Sequence, residues 1–539
     1  MLAFSPRTGT RTARWALLGA IFALLVAPRG ARADSTKTLE GDVPTGGPDH
    51  FFVPFDIPPG TQEIEVRHDD LSEANILDFG LEDARGYRGW GGGTGEPIVV
   101  NERAASRAYV PGPLTSGGFR VIVGKAKVVS SPAKYRIELT FRDAPTLAAQ
   151  TERKPYVEAA PLERGARYYA GDFHVHSRES TDARPSLDEI GTFARSRGLD
   201  FVESSDHNSV TQLDFFGDVQ PRHPKLLFLP GIEYTTYQGH ANAIGATRFV
   251  EHKLGQGGTT IGSSVEAILT QGAVFSINHP MLDLGDVCIG CSWKHDVPPE
   301  KIGAYEIGTG GQKEGARLFL DVTLAAWEAL LDKGSHAAPV GGGDDHQAGK
   351  AKGAFASPLG SPTTLVYAEE LSASALVAAV KKGRTVVKLQ GPEDPMVELS
   401  TETGGLPGDR LGVRSVRVRA KVLGGQGQRV RFVRNGKPEA EVDVTSDPFT
   451  HELVVAADPG SARETRVRAE VVIDEKPRTV TGHVFLAFDP NGPEAAEKPS
   501  AAAEPSGCTT APEGRTFPWG AALAIAAAAM LVRHRSRRV

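Results

Sequence analysis

From residue 34 to about residue 150, apolar and polar positions alternate in short runs, among them Glu63-Ile64-Glu65-Val66, Phe119-Arg120-Val121-Ile122-Val123 and Tyr135-Arg136-Ile137-Glu138-Leu139, with Gly and Pro between them. Successive side chains of a strand point to opposite faces, so this period predicts half-buried sheets and a small β-sandwich over 34–150. Over 151–395 the pattern changes to short apolar runs alternating with amphipathic stretches. The runs include Phe201-Val202-Glu203-Ser204, Leu226-Leu227-Phe228-Leu229, Ala273-Val274-Phe275-Ser276-Ile277, Ala304-Tyr305-Glu306-Ile307 and Ala338-Pro339-Val340. Ser186-Leu187-Asp188-Glu189 is a capping box opening a helix to Arg197, and Ser263-Ser264-Val265-Glu266 opens another to Gln271. Further helices are predicted over 318–333 and 372–382, the latter closed by Gly383. Repeated strand-then-helix units predict an α/β fold with a parallel barrel or a doubly wound sheet. Alternation returns over 396–490, in Ser415-Val416-Arg417-Val418-Arg419-Ala420 and Arg429-Val430-Arg431-Phe432-Val433. That predicts a second small β-domain of immunoglobulin-like pattern.

The two ends depart from this patterning. Arg7, Arg11 and Arg14 precede an apolar run from Trp15 to Ala27 and then Ala31-Arg32-Ala33, the order of a secretory signal peptide over 1–33. Residues 491–516 are rich in Pro, Ala and Glu and read as a linker that builds no core. The apolar run from Phe517 to Val532 then meets an Arg-rich end. Its sixteen residues rise about 24 Å as a helix, short of a hydrocarbon core of about 30 Å, and the basic cluster marks a cytoplasmic side. Residues 517–539 therefore read as a membrane-inserted tail, with the bulk of the chain exported to the cell surface.

Composition adds two limits. A chain of 539 residues exceeds one hydrophobic core, and a net charge of −6 gives no electrostatic case for a nucleic-acid partner. Three Cys occur: Cys508 belongs to the tail, while Cys288 and Cys291 form a C-x-x-C in a Gly-rich loop, read as a local disulfide ahead of a thiolate metal site.

The chemistry gathers just after the apolar runs of 151–395. In Gly171-Asp172-Phe173-His174-Val175-His176-Ser177 two imidazoles two residues apart face one point, although an H-x-H alone carries little weight in a chain with 15 His. Ser205-Asp206-His207-Asn208, Gly231-Ile232-Glu233, Gly239-His240-Ala241-Asn242, Asn278-His279-Pro280 and Gly343-Asp344-Asp345-His346 supply the partners. In a barrel, positions that follow the strands lie on one rim, where active sites assemble. Six His with Asp and Glu, and no comparable Cys, describe a nitrogen and oxygen site for two or three divalent ions such as Zn, Mn or Fe. Two ions sharing a water lower its pKa toward about 7 and give hydroxide at neutral pH, which is hydrolase chemistry. Asp206 is read either as the group that orients an imidazole or as the acid that protonates a leaving group, and Asp345 as a support. His223, His295 and His336 lack motif context and read as surface or loop residues. Arg178 and Lys350 lie close to the ligand motifs, but no phosphate clamp can be assigned.

In their order, H-x-H, S-D-H-N, G-I-E, G-H-x-N, N-H-P and D-x-H resemble the polymerase-and-histidinol-phosphatase (PHP) family of metal-dependent hydrolases, most closely its carbaryl-hydrolase-like branch. The resemblance implies a distorted PHP-type (β/α) barrel. It implies that His174, His176 and Asp344 hold a first ion, with Glu233 bridging to a second bound by His240 and His279. His207 and His346 approach a third position, where Asp182 stands in place of a His that trinuclear members carry. Asp206, His207 and Glu233 are the residues to which it gives a catalytic part. The implied activity is a phosphoesterase acting on a small molecule, with a carbamate, ester or amide hydrolase, or a non-catalytic metal-containing surface binding protein, as alternatives. The Gly507-Cys508 pair, the short apolar helix and the Arg-rich end resemble myxobacterial-type sorting tails, which implies a processing protease as a partner and cutting near Cys508.

Overall fold

Alternation becomes strand wherever one face can be buried. In the strand Ser415–Leu423, Val416, Val418, Ala420 and Val422 are buried while Arg417, Arg419 and Lys421 face outward. The computed structural model describes residues 34–310, 317–352 and 356–495. The signal-peptide, sorting-tail and Cys508 expectations lie outside the described residues. Among the described residues, no helix is long and apolar enough to cross a membrane.

The N-terminal strands form two four-stranded antiparallel sheets, one ordered Ser35–Asp42, Lys134–Arg142, Glu63–Asp69, Ile98–Asn101 and the other His50–Pro54, Arg120–Lys127, Ile76–Asp83, Gly86–Gly92. One apolar cluster joins them: Ile64, Val66, Ile137 and Leu139 from the first sheet meet Phe79, Leu81, Val121 and Val123 from the second.

The middle of the chain is α/β, but its strands close no barrel among the described residues. Arg164–Asp172, Phe201–Ser204 and Leu227–Pro230 pair in parallel. A separate five-stranded sheet runs Glu233–Thr236, Gly239–Ile244, Val274–Ile277, Ala304–Thr309, Ala338–Gly342. The barrel expectation fails for a local reason. Glu233–Thr236 and Gly239–Ile244 form an antiparallel hairpin with no helix between them, which interrupts the strand-then-helix repeat that closure needs. Two isolated bridges, Val175 with Asp345 and His207 with Glu233, join the two sheets at the candidate site.

The helices follow their caps. Leu187–Ser196 begins at the Ser186 capping box, and Ala373–Lys381 begins at Ser372 and is followed by Gly383 at φ 78°. Helix Ile261–Leu269 starts earlier than Ser263, because Thr260 is its cap and Ser263 the reciprocal partner. Helix Arg317–Asp332 buries Trp327 and Leu331 against the second sheet. The C-terminal strands are continuous with the first sheet of the middle region: Lys476–Thr481 pairs with Thr385–Lys388. They share an apolar cluster with the sheet Met396–Thr401, Ser415–Leu423, Phe449–Ala456.

The N-terminal sheets dock on the middle region through aromatic and imidazole rings. His50 and His252 lie 5.5 Å apart between ring centres, both within 5.4 Å of Trp90, and none of their four ring nitrogens has a hydrogen-bond partner. Burial, reinforced by Lys253, pushes His50 down to about 3; burial, reinforced by His50 and Lys253, holds His252 well below its usual value. Both rings are therefore neutral when folded, whereas unfolded His protonates near pH 6.5. Stability from this pair is complete above about pH 6.5 and is lost as the pH falls, by about 1.4 kcal/mol per pH unit for each ring. Urea midpoints measured from pH 7 to pH 5 should fall less steeply when His50→Gln and His252→Gln are combined.

Candidate metal centre

His174 and His176 leave the end of strand Arg164–Asp172 with Phe173 and Val175 buried in the core on the other side. The H-x-H geometry is thus set by strand period and by two apolar anchors. Gly342 allows the neighbouring strand to approach, since a Cβ there would stand 2.3 Å from the Cβ of His174. Three non-glycine residues at the centre take left-handed backbone, Asn208 at φ 47°, His279 at 26° and Asp344 at 53°, a conformation that persists only where surrounding structure holds it.

Glu233 is the hub. Its Oε1 lies 3.2 Å from His174 Nε2, 3.3 Å from His240 Nδ1 and 3.2 Å from His279 Nε2, and its Oε2 lies 2.7 Å from His207 Nδ1 and 3.5 Å from His176 Nε2. Asp344 Oδ1 is 3.3 Å from His174 Nε2 and 3.1 Å from His176 Nε2. Asp182 Oδ2 is 3.2 Å from both His207 Nε2 and His346 Nε2. All nine residues singled out as ligands thus come together, and each of the six imidazoles has another ring centre within 6.0 Å. Donor atoms lie within 4.8 Å of one another in the groups His174, His279, Asp344; His174, His176, Glu233; His207, Glu233, His240; and His176, Asp182, His207, His346.

These donors fit metal ions. His174 Nε2, His176 Nε2, Glu233 Oε2 and both ring nitrogens of His240 are buried without a hydrogen-bond partner, a costly arrangement unless something else satisfies them. Burial alone would raise the Glu233 carboxyl, but His207, His174 and His240 outweigh it and hold the group well below the usual carboxylate range. Burial likewise opposes charge on His346, yet Asp182 and Asp344 push it up to about 9. His176 goes the other way, to about 3, through burial and through His346 and His207. Exposure divides the site: the side chains of His174, His176 and Glu233 are at most 1% exposed, whereas that of Asp182 is 51% exposed.

Other expected residues take different parts. Asp206 is fully buried and accepts from Ser177 N (2.7 Å), Ser177 Oγ (2.8 Å) and Ser204 Oγ (3.1 Å). Its oxygens fix the turn after His176 rather than touching the His207 ring. Asp345 accepts from the backbone of Gln347, Gly349 and Leu359, and its carbonyl accepts from His176 N at 3.1 Å. His223 is no surface residue: it is buried, 2.9 Å from Asp188 Oδ1 and edge-on to Phe228, because the helix Leu187–Ser196 covers it. His295 is half-buried with Nε2 2.7 Å from Thr236 Oγ1, and His336 meets Glu464 at the surface. Lys350 pairs with Glu189 at 2.7 Å. Cys288 and Cys291 are joined by a disulfide, and the Cys291 carbonyl lies 3.0 Å from His279 Nδ1.

Sequence reasoning missed Glu306. Its Oε1 is 3.2 Å from His174 Nδ1 and its Oε2 accepts from His279 N at 2.6 Å, so one buried carboxylate steadies two candidate ligands. The signal was present: a lone acid inside the apolar run Ala304-Tyr305-Glu306-Ile307 has to be paired or stay neutral, as the buried and unpartnered Glu203 does. Asn278, named in the Asn278-His279-Pro280 motif without a role, donates to Glu233 Oε1 (3.1 Å) and Asn242 Oδ1 (2.8 Å).

No protein-family model and no curated protein matches the chain. Among solved structures, a two-domain protein from Bacteroides vulgatus described as containing a predicted PHP-like metal-dependent phosphoesterase is 17% identical, over 61% of this chain and 99% of that one, with a TM-score of 0.33. A CARDB domain from Pyrococcus furiosus is 20% identical over 17% of this chain and 95% of that one, with a TM-score of 0.13. At these scores neither bears on the reading of the site, which rests on its residues.

Glu306→Gln should weaken metal binding about 10–100-fold while leaving all nine donors in place. Calorimetric titration of chelator-treated protein with Zn²⁺ measures this; unchanged affinity would show that His174 and His279 hold their orientation without the carboxylate.

Proposed function

We propose that the protein is a metal-dependent hydrolase of phosphoesterase type that holds two or three divalent ions, Zn, Mn or Fe. The observation that carries the reading is the convergence on Glu233 of buried imidazole nitrogens with no hydrogen-bond partner, from His174, His176 and His240. A structural site closes with four ligands, whereas this one offers nine and opens to solvent at Asp182, His207, Asp344 and His346. His174, His176 and Asp344 would hold one ion, Glu233, His240 and His279 a second, and Asp182, His207 and His346, with His176 beside them, a third. When bound, divalent ions lower the pKa of a nearby water toward about 7 and draw charge from a phosphoryl or carbonyl oxygen.

The rest falls to the chain. Asn278 fixes the Glu233 carboxylate, Glu306 turns His174, and the apolar packing of Phe173 and Val175 keeps water from the inner wall. A substrate arrives at the exposed edge, where imidazoles favour an anion such as a phosphate ester. His346 and His207 stand at that edge, each 3.2 Å from Asp182, where an imidazole that holds no ion is placed to pass a proton to a leaving group. Asp206 serves through Ser177, holding the turn that follows His176. The order of the motifs, which resembles that of the PHP family, supports the same chemistry. The Cys288–Cys291 disulfide and the leader-like residues 1–33 support export to the cell surface.

The test is a panel of p-nitrophenyl phosphate, bis(p-nitrophenyl) phosphate and p-nitrophenyl acetate with full-length protein stripped by chelator and reloaded with Mn²⁺ or Zn²⁺. Phosphate-ester cleavage should return only with metal and should fall at least about a hundredfold in His174→Ala/His176→Ala. Cleavage of the acetate alone would favour the carboxylester reading. No turnover by fully loaded protein on any of the three would favour a binding protein.

A further inference from the structure

The turn that carries Asp182 is held from outside the metal-bearing region. Within the turn, Ser180 Oγ donates to Asp182 Oδ1 at 2.8 Å, accepts from His207 N at 3.3 Å and lies 3.3 Å from His176 Nδ1. Those bonds link three candidate ligands, and bonds from Ala183 N to the Ser180 carbonyl (2.9 Å) and from Arg184 N to the His346 carbonyl (3.3 Å) close the turn, which leaves the carbonyls of Thr181 and Ala183 for a donor from elsewhere. Arg107, from the N-terminal sheets, supplies what is missing. Its Nη2 donates to the Thr181 carbonyl and its Nη1 to the Ala183 carbonyl, each at 2.6 Å, and Nη1 also reaches the Arg178 carbonyl at 3.3 Å. Glu96 takes the remaining donors, from Nε and Nη2 at 2.7 Å each. All five N–H groups of the guanidinium fork are thereby engaged, a pattern that a lysine ammonium cannot reproduce. Pairing with Glu96 also offsets a positive charge that would otherwise oppose a cation nearby.

Two further bonds fasten the same turn to the same sheets. Thr181 Oγ1 donates to the Gly91 carbonyl at 2.5 Å, and Ala108 N, on a left-handed residue at φ 65°, donates to Glu179 Oε2 at 3.0 Å. A second ligand loop is reached as well, where Tyr87 Oη donates to the carbonyl of Asn208, next to His207, at 2.6 Å. The Asp182 side chain is half exposed, so packing does not hold it, and the positioning comes from these bonds.

We infer that Arg107 is the positioning residue for Asp182, and that the N-terminal sheets complete the outermost ligand group, Asp182, His207 and His346, rather than serving as a separate module. The inference rests on the reading that this group holds an ion. The test counts ions: chelator-treated full-length protein is titrated with Mn²⁺ alone, and free Mn²⁺ is followed by electron paramagnetic resonance. Wild-type protein should take up three ions. Arg107→Ala should bind one of them about 10–100-fold more weakly with the other two unchanged. Arg107→Lys, which keeps the charge and the stem but not the fork, should behave the same way. Arg120→Ala, which breaks the pairing with Glu82 elsewhere in those sheets, should keep all three. Three ions at wild-type affinity in both Arg107 variants would overturn the inference, as would the same loss in Arg120→Ala, which would trace it to general loosening. Asp182→Ala separates the two levels of the argument. If it too leaves all binding unchanged, the ligand group itself is misassigned; if it loses one ion while the Arg107 variants do not, only the role of Arg107 falls.

Discussion

A buried carboxylate has to be paired, and in this protein the pairing of Glu233 organises the rest. The side chain is almost fully buried, and it meets the rings of His174, His176, His207, His240 and His279. Burying such a charge alone would cost several kcal/mol, so each of those rings must be delivered to it by an element that packs well elsewhere. The two sheets of the middle region meet through two backbone bridges, one of them between His207 and Glu233, the residue that bears the carboxylate. Packing, sheet arrangement and site chemistry therefore share one point.

Much of this could be read from residue order. The candidate ligands that follow short apolar runs were visible because a strand end fixes where the next side chains emerge, and H-x-H was visible because strand period is two. Asp344 and His279 followed from the same logic, although their left-handed backbone could not be read from the sequence. The barrel was over-read. Residues 233–244 hold two strands joined by a tight turn, and short apolar segments do not announce whether their neighbour runs parallel or antiparallel. Glu306 escaped notice because motif reasoning starts from polar clusters, whereas a single acid inside an apolar strand has to be recognised by its cost. His223 lies in a loop, but its burial could not be read: its partner Asp188 sits 35 residues away, on a helix whose packing partner the sequence does not name.

Long-range bonds were the least legible layer. Nothing near Arg107 points to residues 178–183, since the link is one guanidinium meeting three backbone carbonyls, and carbonyls carry no sequence signature. The same holds for Tyr87 and the carbonyl of Asn208. Residues that by pattern alone read as a small β-sandwich thus hold the turn that carries Asp182. Two neutral imidazoles at the docking surface suit a protein that keeps its shape near neutral pH.

The central claim is that Glu233 lies between metal ions held by the donors around it. Anomalous diffraction from crystals soaked in Mn²⁺ or Zn²⁺, collected on both sides of the metal absorption edge, tests this most directly. The account predicts at least two peaks within about 2.0–2.2 Å of Glu233 oxygens, one shared with His174, His176 and Asp344 and one with His240 and His279. A single peak away from Glu233, or none at full occupancy of the soak, would contradict it.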